Sequence, residues 1–276
     1  MREFRPGSFQ ILPPVIKNLL IINALAFLAY HPFSHTDSST VIENLFALHT
    51  WQSPLFKPWQ LITHLFLHGG WDHVFFNMFA LWMFGSILEN LWGPKRFLTF
   101  YFICGLGAAL SHMIALYFGS EHLINEYTYL SQHFTVGNFT TFYQKENLGN
   151  IYRDASLILQ QWTAAPDSPF AAQEASHLAV QYVRDTLNEP TLGASGAVFG
   201  CLAAFGYLFP NTYIYLYFLF PIKAKWFVLF YAAYELFATV QNSAGDNVAH
   251  VAHLGGALFG FLLVYFWNKT NKRTFY

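Results

Sequence analysis

The chain has 276 residues, of which 54% are hydrophobic, 20% aromatic and only 11% charged. Soluble domains carry about 25% charged residues, so the composition excludes a disordered chain and argues against a typical soluble enzyme; much of the chain is expected to sit in lipid. The net charge of −1 excludes the basic footprint with which nucleic-acid binders neutralise phosphates. Two cysteines in apolar runs, Cys104 and Cys201, offer neither a disulfide framework nor a metal site.

The basic start MREFRPGSFQILPP has no small-residue cleavage site after its first apolar run, so no cleavable signal peptide is expected. A membrane-crossing helix needs about 20 mostly apolar residues. Six stretches qualify, at 15–31, 73–91, 97–118, 194–209, 225–241 and 250–267. The apolar stretch 211–224 is short and broken by Pro221, and reads as a connector in the membrane interface. Lys and Arg mark the inner side of a membrane. With the N-terminus inside, ten of the fourteen basic residues fall on inner segments, leaving Lys57, Lys145, Arg153 and Arg184 outside.

The expected fold class is therefore an all-α polytopic membrane protein with six transmembrane helices. A cytoplasmic segment, 1–14, precedes the first three helices in 15–118; an outer-side insertion, 119–190, precedes the last three in 191–267; a cytoplasmic tail, 268–276, follows. The outer loop 32–72 contains FKPWQLITHLFLHGGW, aromatic enough to lie in the bilayer edge, where Trp and Tyr concentrate. The insertion holds eight acids against three bases and reads as soluble. Within it, Asp167-Ser168-Pro169 has the form of a capped helix start, and Ala171, Ala175, Leu178, Tyr182 and Val183 make an apolar stripe at helical spacing.

Polar groups inside spans are costly and point to function. Ser195 opens the fourth span within Gly193-Ala194-Ser195-Gly196-Ala197. It is either an ordinary helix cap or a hydroxyl cleared by small neighbours and set beside helix-start amides that suit an oxyanion. His250 and His253 open the sixth span, three residues apart and on one face; either could act as a general base. Gly196-x-x-x-Gly200 and Gly256-x-x-x-Gly260 allow close helix approach. If those two faces meet, Ser195 comes to lie beside a histidine of span six. His73 and Asn77, four apart at the start of span two, share a face and can donate hydrogen bonds. A serine, a base and convergent donors at one depth form a pattern for nucleophilic acyl transfer. Glu235 and His112 also lie within spans, where they are read as locally paired or, alternatively, as part of an ion path. His64-Leu65-Phe66-Leu67-His68 lacks the Glu of a zinc-protease helix, and no span offers a pair of aspartates.

These blocks, in this order, resemble the rhomboid family of intramembrane serine proteases. The resemblance is carried by PWQLITHLFLHGGWDHVFFNMFALWMFGSILENLWG at 58–93, TLGASGAVFG at 191–200 and AHLGGALFG at 252–260. It implies a six-helix rhomboid-like bundle in which Ser195 is the nucleophile and His253 the base, His253 being the histidine followed by glycine at three and seven positions on. It further implies that His73 and Asn77 form an oxyanion hole with the Ser195 amide, and that Phe199 packs on the base. His250 is left as a candidate cavity-lining residue. No acid matches a third catalytic member, and Glu89 matches a structural carboxylate. Trp59-Gln60 departs from the Trp-Arg of many relatives, and the insertion is long for the bacterial core. The resemblance implies transmembrane proteins as substrates, cut near the outer face, with the lipid bilayer as environment and no cofactor, metal or nucleic acid. The implied location is the bacterial inner membrane. The alternative is a rhomboid-like protein that binds client helices without cutting them; such relatives lack the serine or the histidine, and this chain retains both.

Overall fold

The computed structural model describes residues 9–33, 37–216, 220–241 and 249–270. The basic residues expected inside at Arg2, Arg5, Lys272 and Arg273 therefore lie outside the described residues. The chain divides into two compact units: Met1–Leu48, Lys57–Ile114 and Pro190–Tyr276 form the first, His49–Phe56 and Ala115–Glu189 the second.

The first unit opens with α1 (Pro14–Tyr30). A proline at the helix start loses no hydrogen bond there. The next two free amides, of Val15 and Ile16, donate to the two carboxylate oxygens of Glu89 at 2.9 and 2.8 Å. Glu89 is only 2% exposed, and the positive helix end stabilises it. This is the structural role the resemblance implied for it. After α2 (Asp37–Phe46), α3 (Trp71–Trp92) contains a π-type turn at Leu81–Gly85. Gly93 ends it at φ +81°, its N–H donating to the Glu89 carbonyl at 2.8 Å. Pro94 then begins α4 (Pro94–Gln132). A left-handed glycine followed by a proline stops one helix and starts the next, so one residue joins two long apolar helices.

At 39 residues, α4 is about 58 Å long, well beyond the roughly 30 Å of a hydrocarbon core. The apolar signal ends near 118, but the helix does not: no proline interrupts it before Gln132, and Leu123 and Leu130 are buried. Its last part, from Ala115 on, belongs to the second unit. There α5 (Val136–Lys145), α6 (Ala155–Ala164) and α7 (Pro169–Leu187) pack around Phe139, Leu148, Trp162, Ala171, Ala175 and Leu178. Ser168 caps α7, its hydroxyl accepting from the Ala171 amide at 3.3 Å, with Pro169 as first helical residue. Loss of such a cap costs about 1 kcal/mol. Ser168→Ala is therefore expected to speed amide exchange at Ala171 and Ala172 about fivefold and to leave the rest of the chain's exchange unchanged.

The first unit resumes with α8 (Ser195–Leu208). The connector at 211–224 is not irregular: β1 (Tyr213–Leu216) and β2 (Phe220–Lys223) pair antiparallel, with Tyr213 opposite Lys223 and Ile214 opposite Ile222. This small hairpin corrects the all-α expectation. Its cause is period-two alternation, with Tyr213 and Tyr215 exposed and Ile214 buried, and Pro221 sits in a two-stranded sheet in which both strands are edges. α9 (Ala224–Gln241) and α10 (His250–Thr270) complete the unit.

Among the described residues, three helices are long and apolar enough to cross a membrane: α3, α4 and α10. α1 and α8 are apolar but shorter. α8 has 14 residues, about 21 Å. It is buried along nearly its whole length, from Gly196 to Leu208, so it is a core helix wrapped by others.

Candidate active site

The site is built around the start of α8. The strand-like segment before it is pinned on three sides. Thr191 exchanges two backbone hydrogen bonds of 2.8 Å with Leu48, its hydroxyl lies 2.9 Å from His112 Nε2, and the Gly193 amide donates to the His64 carbonyl at 2.9 Å. Gly193 adopts φ +129°, where a side chain would be strained, and a Cβ there would lie 2.8 Å from His73 Nε2. Ser195 is the first helical residue and Ala194 occupies the cap position. The hydroxyl is thus not the helix cap that the sequence left open. It lies instead 2.8 Å from His253 Nε2.

These two residues, 58 positions apart, meet because α8 and α10 touch backbone to backbone. A Cβ on Gly256 would stand 1.9 Å from the Gly196 carbonyl oxygen, and one on Gly260 would stand 2.6 Å from the Gly200 oxygen. Gly196 in turn faces Ala108, and Gly200 faces Cys104, on α4. The His253 ring lies flat on Phe199, centroids 4.2 Å apart and planes 5° from parallel. Tyr231 backs Phe199 at 4.8 Å.

Two flanking groups complete the surroundings. His73 Nδ1 accepts from the Gly69 amide at 3.4 Å, which leaves the proton on Nε2, the nitrogen turned toward Gly193. Asn77 is buried one turn further on, its amide donating to the His73 carbonyl at 2.9 Å. In the preceding loop, burial pushes His68 down to about 3 and His64 down to about 4, so both are neutral near pH 7. His64 Nδ1 donates to the Gln60 carbonyl at 2.7 Å.

Sequence reasoning missed the role of one residue in this site. Glu235 of α9, 2% exposed, places one carboxylate oxygen 3.1 Å from His253 Nδ1 and 2.6 Å from His250 Nδ1. His250 is thus buried against Glu235. The signal was present: a lone acid in an apolar helix asks for a named partner. Glu235 sits six residues before the end of α9 and His253 three after the start of α10, so both lie near the facing ends of consecutive helices. Glu235, His250 and His253 are also the ligand types of a zinc site, with atoms within 4.8 Å of one another. Two ligands of one zinc lie roughly 3.3 Å apart. The 2.6 Å contact is shorter, so His250 and Glu235 are hydrogen-bonded, while His253 Nδ1 approaches the same oxygen without forming a hydrogen bond. His112 and Glu235, the residues of an alternative ion path, are both engaged locally.

Long apolar helices around a half-buried serine and a buried histidine define a multi-pass integral membrane protein. Residues 55–137 and 170–269 match the family model described as Rhomboid domain, and the chain belongs to that family. The match runs past the expected edges of the core at 118 and 191, leaving 138–169 uncovered between its two parts. Rhomboid protein 1, mitochondrial, from Saccharomyces cerevisiae is 25% identical over 77% of this chain and 43% of its own length. Rhomboid protease GluP of Bacillus subtilis is 30% identical over 41% of this chain and 22% of its own. Putative rhomboid protease YdcA of the same organism is 22% identical over 97% of this chain and 96% of its own. The chain spans about half the length of the first two curated relatives it matches, 43% and 52%.

Proposed function

We propose that this chain is an intramembrane serine endopeptidase acting through Ser195 and His253. The observation that carries the reading is the 2.8 Å contact between Ser195 Oγ and His253 Nε2, held where two helices pack through glycine. His253 Nε2 takes the serine proton as Oγ bonds to the carbonyl carbon of a peptide. The oxyanion is met by the Ser195 amide at the helix start, by His73 Nε2–H and by Asn77 after its amide swings from the His73 carbonyl. Collapse returns the proton from His253 to the leaving amine, and water repeats the sequence to free the acyl group. Phe199 holds the imidazole plane throughout.

In this reading six helices (α1, α3, α4, α8, α9 and α10) cross the bilayer, with both termini inside. Alignment of Gly196 and Gly200 with Gly256 and Gly260 sets Ser195 level with the fifth residue beyond the start of α10, about 7 Å inward of that end. The serine thus works below the outer membrane surface. The substrates are transmembrane proteins, whose helix must unwind locally because its peptide groups are bonded internally. Mitochondrial and bacterial relatives both match, so the compartment follows from neither.

Removal of one oxyanion donor costs about 100- to 1,000-fold in rate. Asn77→Ala is expected to lower turnover of a model transmembrane substrate by that factor while its thermal unfolding in detergent stays near wild type; cleavage at wild-type speed removes Asn77 from the mechanism. The first test of the whole reading is labelling of the purified protein with a fluorophosphonate probe, beside Ser195→Ala and His253→Ala. Labelling that requires both residues identifies an activated serine. A folded wild type that neither labels nor cleaves removes the protease reading and favours the client-binding one.

A further inference from the structure

We propose that Glu235 is a positioning residue for His253, setting the tautomer and ring edge of the base in the Ser195–His253 pair. The inference rests on the protease reading above.

A carboxylate in an apolar helix is expensive to bury, and Glu235 is 2% exposed. Its neighbours account for it: one oxygen faces the Nδ1 atoms of both His253 and His250. A neutral imidazole carries its proton on one nitrogen only. For Nε2 to take the serine proton, that proton must sit on Nδ1. A carboxylate only accepts, so it selects the Nδ1–H form.

Orientation needs the same contact. Stacking on Phe199 fixes the plane of the ring but not its edge. A half-turn about Cβ–Cγ leaves the plane unchanged and carries Nε2 away from Ser195. Besides Ser195, which meets Nε2, Glu235 is the described polar group that faces the Nδ1 edge of the ring. The 3.1 Å approach to His253 is close but not squarely aligned with the ring N–H. Catalytic hydrogen bonds are often loose before substrate binds and tighten in the complex. As His253 takes the serine proton it becomes a cation beside the carboxylate, so the attraction grows at the step that needs it. His250, at 2.6 Å, braces the carboxylate from its other side.

The test compares kcat and KM of wild type, Glu235→Gln and Glu235→Asp on a model transmembrane substrate, with Ser195→Ala and His253→Ala alongside. Glu235→Gln is expected to lower kcat about 100-fold and to leave KM within about twofold. An amide in place of the acid costs roughly 10⁴-fold in a soluble triad, where it favours the wrong imidazole tautomer; a smaller loss is expected here because the contact of Glu235 with His253 Nδ1 is loose. Glu235→Asp is expected to recover most of the loss. Full kcat in Glu235→Gln, with both controls dead, overturns the role of Glu235 and leaves the protease reading standing. Activity in either control overturns both. A second measurement needs no acid variant: nitrogen-15 NMR of histidine-labelled wild type, with the His253 signal assigned by its absence in His253→Gln. The Nδ1–H tautomer is expected, and the Nε2–H tautomer overturns the inference. Activity abolished by a chelator and restored by zinc also overturns it, by making the three side chains a metal site.

Discussion

Ser195→Ala and His253→Ala are each expected to lower turnover of a transmembrane substrate by about 10⁶-fold, and the double variant is expected to be no worse than either. The hydroxyl is a poor nucleophile until Nε2 accepts its proton, and the imidazole has nothing to activate once the hydroxyl is gone. Residues that act as one unit lose their effect together. The 2.8 Å contact puts these two in that relation. Single-turnover cleavage in detergent, followed for all three variants, checks it. Losses that multiply in the double variant mean that the two residues contribute separately, and the shared proton transfer is then wrong.

The second large effect is structural. Gly256→Ala would place a Cβ 1.9 Å from the Gly196 carbonyl oxygen. The obstacle is backbone in the middle of a helix, so no rotamer change relieves it, and α8 and α10 must move apart. Overpacking of this kind costs about 1–3 kcal/mol. A lower thermal unfolding midpoint in detergent is expected, together with a loss of cleavage larger than the stability change explains, because the displacement separates Ser195 from His253. Gly119→Ala serves as the contrast: it lies within α4 with nothing within 4 Å of the added carbon, and alanine favours helix by about 1 kcal/mol. Its midpoint is expected to hold or rise. Equal damage from both substitutions removes the glycine contact as the cause.

Much of the arrangement is readable from local sequence. Hydropathy marks α1, α3 and α10 within a few residues of their ends, since burial in lipid demands unbroken apolar runs. Gly93-Pro94 announces its turn because only a glycine takes that φ without strain and only a proline starts a helix without loss. The Ser168 cap is equally local. The extent of α4 is not readable in this way: its last 14 residues leave the apolar pattern but remain helical, their apolar side chains Leu123 and Leu130 buried in the core of the second unit. The hairpin at 213–223 hides behind an apolar run in which the alternation of Tyr213, Ile214 and Tyr215 is easily taken for a membrane-edge segment.

The candidate site divides along the same line. Ser195, His253, His73 and Asn77 stand out in the sequence because polar residues are rare in apolar helices and because small residues surround them. Paired Gly-x-x-x-Gly patterns even anticipate which helices touch, since only glycine lets two backbones approach so closely. The sequence by itself thus determined most of the apolar helices, the polar residues they carry and the surfaces able to meet. Tertiary structure alone decided that the serine hydroxyl points to His253 instead of capping its own helix, and that the Glu235 carboxylate stands between two histidines. Those are matters of side-chain direction across helices, settled by packing angles and buried hydrogen bonds that no spacing along the chain encodes.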